Sequence, residues 1–362
     1  MKEYQTKYYV IYSDLDEATV KEATARITTM AEEYHERTKD FAGSVRKRLP
    51  VYLFSNFEDY KGAGGVGVGF FSGDRLMAWV PNGGAALNWR TLQHEGFRQF
   101  ASQAVGYAIP VWVNEGLGEY FGEGVWTGDA LVTGVVSSER LSRVKTMISG
   151  GQLRPFDQMF FLNYMQWISQ FDMKNYDQAW AMVHFLVNGD NQKYRKAFSQ
   201  FLRDCSNGKD ALGAFQAHFG ANLKPFQDRF TAWWQALPAE PTPDLYATAV
   251  VHTYTSFLAR ANAAKQTFKD WDEFLAAAKG GTLQSPPDSA LPPSLLDTAV
   301  SSAAGGNGTW SLNVAGKSPK VVFTRADGVV FTGDFTAEGK DSKEFKTRVA
   351  ITRPAPRPAA EK

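Results

Sequence analysis

Cysteine is almost absent from this chain, and its absence removes several functions at the outset. Cys205 is the only one in 362 residues, so an intrachain disulfide framework, a zinc ribbon or an iron–sulfur site cannot be built. An excess of charge is also missing. The 39 Lys and Arg are matched by 38 Asp and Glu, which leaves no field to draw the chain onto nucleic acid or an anionic membrane surface. No apolar run is long enough to span a bilayer, so membrane insertion is not expected. The opening Met1-Lys2-Glu3-Tyr4-Gln5 carries no apolar signal core; the reading is a soluble chain, exported only if a signal was trimmed. Histidine is scarce as well, with five in all. His35, His218 and His252 fall in amphipathic helical stretches without partner ligands nearby, and His184, between Val183 and Phe185, reads as a hydrogen-bonded core residue. His94 is left as the one histidine placed for chemistry.

The length allows two or three domains with a substantial core, and the generous aromatic content lies mostly at helical positions, where it reads as core. Lys7 to Tyr12 reads as a strand and is followed by a helix, with Asp14 and Glu17 as its cap and Val20, Ala23, Ile27, Met30 and Tyr34 as an apolar stripe at 3–4 spacing. Leu49–Phe54 and Arg75–Val80 are two further strands. Residues 1–90 therefore form an α/β sheet subdomain. The Gly62–Gly67 stretch fits a dinucleotide fingerprint only formally, since no helix follows it; a mobile loop beside a cleft is the better reading. Residues 91–240 are helical, with a break at Asn188-Gly189-Asp190. A long helix is expected over 241–280 and a Pro-rich linker over 281–308. Residues 309–353 form a small antiparallel sheet with a turn at Asp327-Gly328, and 354–362 a disordered tail. The fold class is α+β.

The chemistry concentrates in His94-Glu95-Gly96-Phe97-Arg98-Gln99, followed by Trp112-Val113-Asn114-Glu115-Gly116-Leu117-Gly118-Glu119-Tyr120-Phe121. On a helix, residues four apart share a face, so His-Glu-x-x-His holds one metal ion between two imidazoles. Here the second position is Arg98. A hydrolytic zinc site usually takes three protein ligands, two His and one Glu being a common set, and this chain offers His94 and Glu115. A helix starting near Pro110 carries Glu115 and Glu119 one turn apart on one face.

These blocks resemble the gluzincin zinc peptidases, the group that includes thermolysin and aminopeptidase N, over roughly the first two-thirds of the chain. They are more closely similar to a bacterial family of unknown function built on that peptidase domain. The resemblance implies a zincin-like domain with a small mixed N-terminal sheet and a helical C-terminal lobe. It implies zinc-ligand positions at His94 and Glu115, a general base at Glu95, and an orienting acid at Glu119. Tyr176, in the block Tyr176–Leu186, is similar to the tyrosine that stabilises the oxyanion in aminopeptidase-like members; half-buried packing is the ordinary alternative. Met77, Ala78 and Trp79, on the strand ahead of the motif helix, would be a rim able to pair with a peptide backbone.

Arg98 is the departure. A guanidinium has no lone pair for zinc and does not lose its proton, and its charge about 5 Å from a divalent ion costs on the order of 5 kcal/mol at an effective dielectric near 20. No metal cofactor is expected in the usual pose. In its place Arg98 would compensate Glu95, Glu115 and Glu119. Two function classes stand open: a non-catalytic, peptide- or protein-binding descendant of a zinc peptidase, and a working zinc peptidase with an altered ligand set. The sequence leaves the oligomeric state and the use of the small sheet undecided.

Overall fold

The computed structural model describes residues 1–43, 45, 47–106, 109–169, 173–304, 307–316, 318–338 and 344–354. Apart from Pro354, the tail expected over 354–362 lies outside the described residues. The chain divides into two compact units. Unit 1 comprises Met1–Gly124 and Thr133–Thr242, and unit 2 comprises Val125–Val132 with the described residues from Pro243 onward.

Unit 1 begins with β1 (Lys2–Gln5), β2 (Tyr9–Ser13), α1 (Glu17–Thr38), β3 (Leu49–Phe54), α2 (Phe57–Gly62), β4 (Gly69–Ser72) and β5 (Arg75–Trp79). The strands form one mixed sheet in the order β1-β2-β3-β5-β4; β2, β3 and β5 run parallel, and both flanking pairs are antiparallel. Alternation along the strands sends Ile11, Val51, Leu53, Leu76 and Ala78 to one face, where Val20, Ala23 and Ile27 of α1 cover them. The apolar stripe expected on α1, including Met30 and Tyr34, is buried throughout. Its cap is not Asp14. Asp16 accepts from Thr19 N–H and starts the helix, while Asp14 accepts from Ser55 N–H beyond β3.

The helical part contains α3 (Ala86–Ala104), α4 (Val111–Gly122), α5 (Ser138–Ser149), α6 (Phe156–Met159), α7 (Tyr164–Ser169), α8 (Met173–Gln192), α9 (Arg195–Ser206), α10 (Ala211–Phe219) and α11 (Lys224–Ala236). Within α8 the backbone leaves helical geometry at Gly189, and Asp190 and Asn191 take positive φ, which is the break expected there.

In unit 2 the short hairpin β6 (Val125–Trp126) and β7 (Leu131–Val132) joins α12 (Pro243–Ala263), α13 (Trp271–Lys279), α14 (Pro293–Ala304) and the strands β8 (Gly308–Asn313), β9 (Lys320–Arg325), β10 (Val330–Glu338) and β11 (Glu344–Thr352). The strands form an antiparallel sheet in the order β11-β10-β9-β8, with Gly328 at positive φ in the expected turn. Two expectations need correction. The stretch read as one long helix is two, α12 and α13, and the stretch read as a linker contains α14. Helices and sheet share one core, in which Val251, Tyr254 and Leu258 pack with Trp271, Phe274, Leu296, Phe323 and Phe331. Helix, linker and sheet are therefore parts of one unit, because the apolar face of so small a sheet must be covered.

Candidate functional site

The motif residues meet where α3 and α4 pack. Gln93 of α3 fastens the two helices: its side-chain amide donates to the carbonyls of Phe121, Gly122 and Gly124 at 3.1, 3.2 and 2.9 Å, satisfying the C-terminal carbonyls of α4. From the α1 side, the Tyr34 hydroxyl donates to the Gln93 carbonyl at 2.7 Å. Two glycines then thin α4 on opposite sides. A Cβ at Gly118 would lie 3.0 Å from the His94 ring, and one at Gly116 would lie 2.5 Å from the Ala179 carbonyl oxygen of α8. The motif spacing carries no sign of these close approaches.

Glu115 and Glu119 bracket His94. Glu115 Oε2 lies 3.2 Å from His94 Nε2, and Glu119 Oε1 lies 3.1 Å from Nδ1. With a carboxylate on each nitrogen, the doubly protonated ring is the form that donates to both. Burial opposes that charge, but the hydrogen bonds and charges of Glu115 and Glu119 outweigh it and push the pKa up to about 10.

Arg98 lies on the same side as the acids, one turn beyond His94. Its Nη1 donates to Glu95 Oε2 at 2.9 Å, and its Nη2 lies 3.2 Å from Glu115 Oε1. The same Nη2 donates to the Tyr164 hydroxyl at 3.3 Å. The side chain is only 11% exposed, so it does not reach into solvent; its Nε has no hydrogen-bond partner among the described residues. Glu95 Oε2 also accepts from the Phe71 N–H at 3.0 Å. Burial raises the Glu95 pKa and the Glu115 charge adds to it, against the lowering influence of Arg98 and His94.

A ring of charges that motif reasoning missed surrounds Glu119. Arg90 and Arg140 reach its Oε2 at 2.9 and 2.7 Å; both also pair with Glu123, and Arg140 continues to Asp177 at 3.0 Å. Burial alone would raise the Glu119 pKa, yet the His94 hydrogen bond and the two guanidinium groups hold it well below the usual carboxylate range. Three short ion pairs on one acid, with Arg140 almost fully buried, make this a framework for the site and not a surface ornament. Only the pairing of distant residues reveals it.

Tyr176 lies in the first turns of α8 with its ring edge-on to Trp167 at 5.3 Å. Burial pushes its hydroxyl up to about 12; the Glu115 charge adds to this and Arg98 opposes it, so Tyr176 borders the same cluster. His184 does not join it. That ring sits among Trp180, Trp233, Trp234 and Tyr120, bonded through Nε2 to the Gly134 carbonyl at 3.0 Å, and burial pushes its pKa down to about 4.

The expected peptide rim is corrected. Met77, Ala78 and Trp79 lie on β5, which is paired on both sides, by β3 and β4, so their backbone has no open side. The edge is β4. Trp79 N–H donates to the Val68 carbonyl, and antiparallel alternation then turns the N–H and C=O of Gly69 and Phe71 away from β5.

Residues 88–210 match the family model described as protein of unknown function DUF1570. The match takes in α3 from its third residue, all of α4 and the Tyr176 segment, and so every charged side chain of the cluster, but not Phe71. No curated protein and no solved structure matches the chain. Among the described residues, no helix is long and apolar enough to cross a membrane.

Proposed function

We propose that the chain is a catalytically impaired descendant of the His-Glu-x-x-His zinc peptidases that binds peptide without cutting it. One observation carries the reading: Glu95 Oε2 is shared between the Arg98 guanidinium and the outward Phe71 N–H of edge strand β4. The group at the position of the general base is thus engaged twice, and it touches the strand on which an extended backbone would pair.

The resemblance implies zinc, and the residues present do not fit it. His94 Nε2 and Glu115 Oε2 lie 3.2 Å apart as two of the needed groups, but Glu115 Oε1 faces a guanidinium, and the third ligand position is that guanidinium. The guanidinium offers no lone pair, so the set is one donor short and a fixed positive charge stands in the missing place. No hydrolytic step is therefore derived through a metal. What the remaining residues support is binding: an edge strand with outward backbone groups, and beside Arg98 the segment bearing Phe161, Tyr164, Met165 and Ile168, all exposed. Main-chain pairing supplies affinity in such a mode, and side-chain pockets supply selectivity.

The test is a screen of the full chain against randomised twelve-residue peptides, with a Phe161→Ser, Met165→Ser double variant that removes two exposed apolar side chains of the segment beside Arg98. Binding that this variant loses while keeping its far-ultraviolet circular dichroism supports the reading. An absence of binding sinks it, and so does peptide hydrolysis that Glu95→Gln abolishes.

A further inference from the structure

We infer that the Arg98 guanidinium is the built-in replacement for a metal ion: a fixed cation that holds the two-helix cluster together and excludes a divalent ion by its charge. This inference rests on the peptidase-descent part of the proposal, and not on peptide binding.

The argument begins with what the cluster needs. Glu95 and Glu115 come from different helices, and both are buried with side chains 11% and 2% exposed. Two buried carboxylates in one site repel each other and resist ionisation unless a cation stands between them. In a metal site the ion is that cation. Here it is Arg98, which presents one nitrogen to each acid, at 2.9 Å to Glu95 and 3.2 Å to Glu115. A forked, planar, permanently charged group suits two carboxylates on different backbones, and an ammonium point charge does so less well.

Geometry also shows why the exchange closes the site to metal. Glu115 carries both cations of the cluster, with Oε1 on Arg98 and Oε2 on His94. The two oxygens that would turn to a divalent ion are already occupied, and an arriving ion would meet the guanidinium at close range. Glu119 remains on His94 Nδ1, the place of an acid that orients a metal-binding imidazole. The orienting frame, with Arg90 and Arg140 behind it, is therefore intact around a ligand set that lacks one donor. This makes the site a latent metal centre, one side chain away from a complete set.

The experiment measures zinc in the full chain purified without chelator, and thermal unfolding with and without EDTA, for the native sequence and for Arg98→His, Arg98→Met and Arg98→Lys. The native chain is expected to carry well under one zinc per molecule and to melt identically in EDTA. Arg98→His is expected to bind about one zinc, and its melting temperature should fall when the metal is removed. If that variant does not fold, the other two decide. With charge as the cause, Arg98→Met binds zinc on the order of a hundredfold or more tighter than Arg98→Lys. Native protein with one tightly held zinc overturns the inference. A folded Arg98→His that stays metal-free overturns it too, as does equal zinc affinity in the Met and Lys variants. Because peptide binding is not read in this experiment, its failure and the failure of that reading are separable.

Discussion

Two buried histidines of unit 1 stand in opposite states. His94 is 8% exposed and His184 3% exposed, so desolvation presses both toward the neutral ring. Carboxylates at both nitrogens nevertheless push the His94 pKa up to about 10, while burial among aromatic rings pushes that of His184 down to about 4. Burial sets the size of the penalty, and the neighbours decide whether it is met. The His94 region is polar and assembled from α3, α4 and the arginines behind them. The His184 region is apolar and assembled from α8 and α11.

The strongest way to break this contrast is to disturb the helix between the two regions. Gly116→Ala places a methyl 2.5 Å from the Ala179 carbonyl oxygen, and since backbone cannot swing aside, α4 must lift from α8. A loss of about 3 kcal/mol or more is expected in urea unfolding; a loss below about 1 kcal/mol would show that this interface gives more readily than its geometry implies.

Acid sharpens the contrast next. The His184 pKa in the fold, about 4, lies below its ordinary 6.5, so the unfolded chain takes up the proton first. The contribution is whole above about 6.5 and is lost as pH falls toward about 4, amounting to about 3 kcal/mol. Unfolding measured from pH 7 to 4 should show this slope, and His184→Gln should reduce it, His252, which burial also pushes down to about 4, sustaining the rest. An unchanged slope in the variant would place the acid sensitivity elsewhere.

The smallest expected effect is a shift in titration. Glu119→Gln removes the charge facing His94 Nδ1 while keeping its shape, so the His94 pKa should fall from about 10 toward the ordinary range by at least a unit, read by NMR of the ring protons. A value that does not move would mean that Glu115 alone sustains the imidazolium.

Parts of the site are legible in the sequence. The 3–4 spacing on α1, the adjacency of His94 and Glu95, and the one-turn spacing of Glu115 and Glu119 all follow from helix period, and all hold. Tyr176 was placed near the cluster through its block. Strand β4 is not legible in the sequence: its four residues, Gly-Phe-Phe-Ser, are too few for an alternation pattern, so nothing in the sequence shows that β5 has a neighbour on that side. The hairpin at 125–132 was lost within a helical reading for the same reason.

By itself the sequence determined that His94, Glu95 and Arg98 stand on one helix and Glu115 and Glu119 on another, with faces that the spacing dictates. It determined too that the charges balance and that a single cysteine leaves no intrachain disulfide framework. Tertiary structure alone decided which groups neutralise that arginine. It joined Arg98 to Glu95 and Glu115, set Arg140 between Glu119 and Asp177, and placed β4 at the edge of the sheet beside Glu95. The physical reason is range: helix period acts over four residues, whereas a buried charge must find partners wherever packing brings them, here across tens of residues of chain.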